Sequence, residues 1–231
     1  MRSKNINHIT KLKFMMNTLA IIFIIFLSAT PLSASNANIE VDYCIANRSL
    51  PKGHQGYPCK DPAKVTTDDF VFTGFRGEKI ITNIFRNNVT RANHDTFPAL
   101  NGLGLSMSRL DLGVGGIVPV HSHRTSEIIV LINGTIIAGI IDTNNTAYFK
   151  RLEPGDVMIF PQFLLHFQVN VGKTRALAFV GLNGANPGIQ ITSTALFAGN
   201  LPAKIASQIT LISPGEVRRL RMIFDRIGTG Q

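Results

Sequence analysis

The stretch Gly115-Gly-Ile-Val-Pro-Val-His-Ser-His-Arg-Thr-Ser-Glu-Ile-Ile-Val-Leu-Ile-Asn-Gly134 decides how the chain is to be read. Its first half sets His121 and His123 two residues apart, so on a strand both imidazoles project from one face. Its second half, Ile128 to Ile132, is an apolar run of β type. Between the halves stands Glu127. On a straight strand it would lie roughly 13 Å from His123, too far for one ion with ligand bonds of about 2 Å. A shared ion therefore requires the chain to bend through Arg124-Thr125-Ser126. A third imidazole, His166, falls on a later apolar run, where alternation with Leu164 and Gln168 gives it a defined face. Three imidazoles and one carboxylate suit a first-row divalent ion with open positions. Taken singly, each histidine reads equally well as a hydrogen-bonded core residue, and spacing alone leaves both readings open.

Working outward, short β-type runs broken by turn signals extend from about Phe70 to Thr194. Asn133-Gly134 between two apolar runs predicts a tight hairpin of type I′. Asp142 to Thr146 is a second turn and Glu153-Pro-Gly-Asp156 a third. Leu165 to Val171 and Thr174 to Leu182 read as a pair around Gly172-Lys173. Many short strands with regular turns predict an all-β antiparallel sandwich or barrel. The last thirty residues change period. Pro202 to Thr210 predicts a short helix with Asn200 as its cap, and Ser213-Pro-Gly-Glu216 reads as a capping box. Val217, Leu220, Phe224 and Ile227 then form one apolar stripe, to be buried against the chain's own barrel or a neighbouring subunit.

Residues 1–35 combine a basic start (Arg2, Lys4, Lys11, Lys13), the apolar core Leu19 to Leu27 and a small-residue stretch ending at Ser35. That is the pattern of a secretory signal peptide, with cleavage after Ser35 or Ala37; the apolar core is about half the length a membrane anchor needs. Four of the charges behind the formal net +9 lie in this segment. What remains supports at most a weak attraction to acidic wall polymers, and nucleic acid is not an expected partner of an exported chain. Cys44 and Cys59, the two cysteines of the chain, are expected to pair in an oxidising compartment. Closing such a loop stabilises by roughly 3 kcal/mol in the chain-entropy account. Sequons at Asn47, Asn88 and Asn144 are candidate glycosylation sites; Asn133 is a weaker one because of its turn reading.

Gly115, five residues, His121-x-His123, three residues, Glu127, six residues and Gly134 resemble the first signature of the cupin superfamily. Gly155, five residues, Pro161, then His166, three residues and Asn170 resemble the second. With Asp42-Tyr-Cys44, Cys59-Lys60 and the helical tail, the chain is similar to the plant germin-like proteins over nearly everything past residue 35. The resemblance implies a cupin-type β-barrel (jelly roll) at 70–198, preceded by a disulfide-bearing extension at 36–69 and followed by a helical oligomerisation segment at 199–231. It implies a homo-oligomer, trimer or hexamer, secreted to the apoplast or cell wall with a role in defence or wall processes. One manganese ion per subunit would sit on His121, His123, Glu127 and His166, with superoxide dismutation as the leading activity. Gln168 and Asn170 are expected around the ligands. Asn101 matches one of two asparagines that position substrate in oxalate-oxidising members; the other place holds Val118, so oxalate oxidase activity is expected to be weak or absent. A non-enzymatic, auxin-binding-like role is the competing class. Two departures stand out: germins usually have four residues between His123 and Glu127, and a glycine where this chain has Phe163.

Overall fold

The computed structural model describes residues 41–228, with side chains to Asp225. The expected signal peptide at 1–35 and both cleavage positions lie outside the described residues. Several of the runs that become strands are rich in β-branched and aromatic residues, 128–132 and Val157–Phe160 among them, as a pleated, half-buried surface favours. The strands are β1 Asn87–Ala92, β2 Ser106–Leu112, β3 Ile117–Ser122, β4 Glu127–Asn133, β5 Ile136–Ile141, β6 Ala147–Leu152, β7 Val157–Phe160, β8 Leu165–Asn170, β9 Ala176–Leu182 and β10 Gln190–Ile191. They form two five-stranded sheets, ordered β1-β2-β9-β4-β7 and β10-β3-β8-β5-β6. All pairings are antiparallel. Alternate residues of both sheets fill the space between them: Leu110, Leu112, Ile129, Leu131, Ile136 and Phe160 are among those fully buried there. Burying each such side chain contributes about 1.5–3 kcal/mol.

Two expected hairpins are corrected. β4 pairs with β7 and β9, whereas β5 pairs with β6 and β8, so Asn133-Gly134 carries the chain from one sheet to the other. A type I′ turn needs positive φ at both central residues; Gly134 has φ 86°, but Asn133 is not left-handed. A Cβ on Gly134 would lie 2.7 Å from Ala176 Cα, so this glycine serves a close crossing of backbones. Gly172-Lys173 likewise joins β8 and β9 of opposite sheets. Asn170 organises that crossing: its Nδ2 donates to the carbonyls of Leu112, Gly113 and Thr174, and its Oδ1 accepts from Gly172 N. Asp142 to Thr146 does close a true hairpin, with Ile141 opposite Ala147. Because most connections switch sheets, residues close in sequence end up facing one another across the core.

Three helices follow: α1 Thr192–Phe197, α2 Ala203–Thr210 and α3 Pro214–Gly228. α1 was not legible as a helix in the sequence. The residue capping α2 is Pro202, not Asn200. Ser213 Oγ accepts from Glu216 N at 3.3 Å, but the Glu216 carboxylate turns to Arg219, so the capping box is half formed. Val217 is fully buried with Ala206 and Phe197, and Leu220 and Phe224 pack beside them. The stripe of α3 is therefore covered by α1 and α2 rather than by the barrel itself; the Ile227 side chain lies outside the described residues. At the other end, Cys44 and Cys59 form a disulfide, and Ala46 bridges to Cys59.

Candidate metal centre

β3 and β8 are adjacent, and their register sets His121 directly opposite His166. Two residues later on β8, Gln168 faces Val118, three positions before His121. The surplus residue is a β-bulge at Pro119-Val120, where proline lacks the amide a regular ladder would use. The bulge re-phases the strand, so that Val118, His121 and His123 all look into the same cavity. Glu127 comes from the other sheet, as the first residue of β4, opposite Phe160 and Leu182. The bend demanded by the sequence is thus a crossing between sheets. It is held by Arg124 N donating to Pro187 O, Ser126 N donating to Asn183 Oδ1 at 2.8 Å, and Gln162 Nε2 donating to Arg124 O at 2.6 Å. Three intervening residues suffice for it.

The four candidate ligand atoms lie within 4.8 Å of one another. Glu127 Oε2 is 3.1 Å from His123 Nε2 and 3.6 Å from His166 Nε2. His121, Glu127 and His166 are at most 5% exposed. Each imidazole gives its Nδ1 to a backbone carbonyl: His121 to Pro119 and His166 to Leu164, both at 2.8 Å, and His123 to Gly188. A ring whose Nδ1–H donates to a carbonyl keeps its lone pair on Nε2, and the orientation is fixed from behind. Burial, helped by the neighbouring His166 and His123, pushes His121 down to about 3. Burial alone would raise Glu127, but its close contacts with the His123 and His166 imidazoles outweigh it and hold the carboxyl at about 2. Near neutral pH the site offers neutral His121 and an ionised carboxylate.

A metal ion fits this donor set. His166 Nε2 is buried with no hydrogen-bond partner, as is the Gln168 amide nitrogen, and an unpaired buried polar atom costs about 1–3 kcal/mol. A cation among the lone pairs removes that cost for His166. The adjoining cavity has a volume of about 60 Å³. Its walls are largely apolar (Leu110, Val118, Val180, Leu182 and Ile189 among them), and Gln168, Ser108 and Arg91 also line it.

Of the expected partners, Gln168 reaches the cavity and the others do not. Asn170 serves the β8–β9 crossing. Asn101 is corrected: its side chain accepts from Tyr57 N and donates to Tyr57 O and Cys44 Sγ, so it ties down the disulfide loop. Phe163, at the glycine position, adopts φ 64°, is 66% exposed, and donates its amide to His123 O at 3.0 Å. It lies outside the cavity wall and borders a surface depression with Ser122, His123 and Arg124. The carbonyls of Pro119, Leu164 and Gly188 went unforeseen, since a backbone acceptor leaves no mark in residue type. Arg91 and Ser108 were missed because they stand on β1 and β2, outside both signatures.

The cupin family matches residues 75–218. The chain is 46% identical over 194 residues to "Auxin-binding protein ABP19a" of Prunus persica, covering 84% of this chain and 92% of the relative. It is 44% identical over 205 residues to "Germin-like protein subfamily 3 member 3" of Arabidopsis thaliana, covering 88% and 95%. Among solved structures, an oxalate oxidase in complex with the substrate analogue glycolate superposes with a TM-score of 0.77 at 29% identity, covering 80% of this chain and 96% of that one.

Proposed function

We propose, from the premise that the chain belongs to the germin-like proteins of the cupin superfamily, that it is an exported manganese protein that disproportionates superoxide. The observation that carries this reading is the join between the donor set and the cavity: His121, His123 and Glu127 of the four-residue donor set line a cavity of about 60 Å³. That space suits a diatomic anion with little else, since a drug-sized ligand takes about 300–1,000 Å³. A manganese ion held by His121, His123, Glu127 and His166 would supply a couple able to take an electron from one superoxide and return one to another. The chain's residues orient Nε2 of each histidine by a backbone carbonyl behind Nδ1, hold the carboxylate charged and line the approach with apolar side chains that exclude bulk water. Val118 lines the cavity where a donor to oxalate would be needed, which supports weak or absent oxalate oxidation; peroxide release from oxalate by the manganese form would overturn it. A superoxide assay on purified full-length protein of known manganese content tests the main reading. His123→Ala should abolish activity and leave the fold intact.

The auxin-binding name of the Prunus persica relative favours a second, non-enzymatic reading. The groove of about 770 Å³ between α3 and residues 82–89 is roomy enough for an aromatic acid. Stoichiometric manganese without dismutation would favour it. Export to the apoplast accords with the residue 1–35 pattern, with the disulfide, and with the fact that no helix among the described residues is long and apolar enough to cross a membrane. Asn144 is exposed on the β5–β6 turn and is the best-presented sequon. Asn47 Oδ1 accepts from Ser49, and the Asn88 amide donates to Ile80 O. Assembly as a trimer or hexamer would cover the exposed outer apolar residues Ile128, Val157 and Ile159.

A further inference from the structure

The wall of the small cavity carries one charged residue besides the candidate ligands, Arg91 of β1. Four other arginines meet carboxylates: Arg109 and Arg175 meet Asp111, Arg151 meets Glu153, and Arg219 meets Glu216. Among the described residues no carboxylate comes within ion-pair distance of Arg91, and its guanidinium makes no hydrogen bond to the protein. Arg91 is exposed to solvent at the cavity, and the protein packed around its stem lowers its pKa from the ordinary guanidinium value. An exposed guanidinium unmatched by any carboxylate is free to meet an incoming anion. Its register partner on β2 is Ser108, and that residue lines the same cavity. The only carboxylate in the wall is Glu127, whose charge a bound cation would offset. Apolar walls such as Val118 and Val180 keep the local dielectric low, so the field of one guanidinium is focused along the opening.

We propose that Arg91 recruits small monovalent anions from solvent and holds them, with Ser108, in the cavity beside the four ligands. The proposal rests on the reading that those ligands hold a cation, and it goes beyond that reading by assigning charge selection to a residue that touches no metal. A neutral molecule of the same size gains nothing from the guanidinium. Superoxide belongs to the favoured class, and so does azide.

Azide titration of the manganese-loaded full chain, followed by the electron paramagnetic resonance spectrum of the ion, tests it. Arg91→Gln should weaken azide binding about tenfold, while Arg91→Lys retains most of the affinity. Lys150→Gln, which removes an exposed cation of β6 that does not line the cavity, should change it by less than about twofold. The wild-type affinity should fall as ionic strength rises, a readout that needs no variant. Manganese content measured on the same samples keeps a failure of metal binding separate from a failure of anion recruitment. Azide affinity in Arg91→Gln within about twofold of wild type, or wild-type affinity indifferent to salt, would overturn the proposal whatever the dismutation assay gives. A tenfold loss sustains it even in a protein that does not dismutate.

Discussion

Two buried charged clusters sit on this scaffold and differ in what they leave unfinished. In one, Asp111 is 2% exposed and both its oxygens accept from Arg109, at 2.8 and 2.9 Å, with Arg175 Nη2 at 3.2 Å. The two arginines also donate to the carbonyls of Phe75, Gly77 and Lys79, so the cluster pins that segment to β2 and the start of β9. A single Arg175 Nε is left over on its rim. In the other, His121, His123, Glu127 and His166 aim lone pairs at a shared point, and His166 Nε2 has no partner. Burial and charge are common to both. Convergent, unsatisfied acceptors distinguish a site from a brace.

The comparison breaks most visibly if Asp111 is removed. Asp111→Ala strands two arginines and should cost about 3–5 kcal/mol, read as a lowered urea midpoint, with manganese per folded molecule unchanged. If the same substitution emptied the metal site, the two clusters would not be separable.

Acid acts on the second cluster. Folded His121 titrates at about 3 against an ordinary 6.5, so between those values the unfolded chain binds the additional proton. Glu127, held at about 2 against 4.5, behaves the same way at lower pH. The metal-free protein should therefore lose stability as pH falls from about 6.5 towards 3, by on the order of a few kcal/mol. Thermal melts across that range should show the slope, and His121→Gln should flatten it. A wild-type melting temperature that rose on acidification would contradict the assignment.

The smallest effect concerns Phe163. A left-handed conformation costs a non-glycine residue about 1–2 kcal/mol, and a largely exposed ring recovers little of this by packing. Phe163→Gly should gain up to about 1 kcal/mol in chemical unfolding, once the glycine's own chain entropy is set against the relief. Metal content should not move, because the ring is not on the cavity wall.

How much of this was legible in the sequence follows from what kind of atom acts. The cluster of candidate ligands was legible because imidazoles and a carboxylate announce their chemistry, and strand alternation gave His121 and His123 a common face. The disulfide was legible from two cysteines in a loop-rich stretch. The sheet crossings were not. Asn133-Gly134 carries a strong local hairpin signal, but β4 and β5 each find better partners in opposite sheets, and tertiary pairing overrides the turn rule. Asn101 misled because a matching residue type at a matching place says nothing about which way a loop turns; its amide is spent on Tyr57 and Cys44. The carbonyls behind the three histidines, the Pro119 bulge and Arg91 are set by register between distant strands, which no local pattern encodes.

The central claim is that His121, His123, Glu127 and His166 together hold one manganese ion. Elemental analysis of protein purified without added metal tests it most directly, comparing wild type with Glu127→Ala. One manganese per chain in the wild type, with a folded Glu127→Ala protein that retains almost none, is the predicted result. A folded wild type devoid of manganese, or a variant as rich in it as the wild type, would contradict the account.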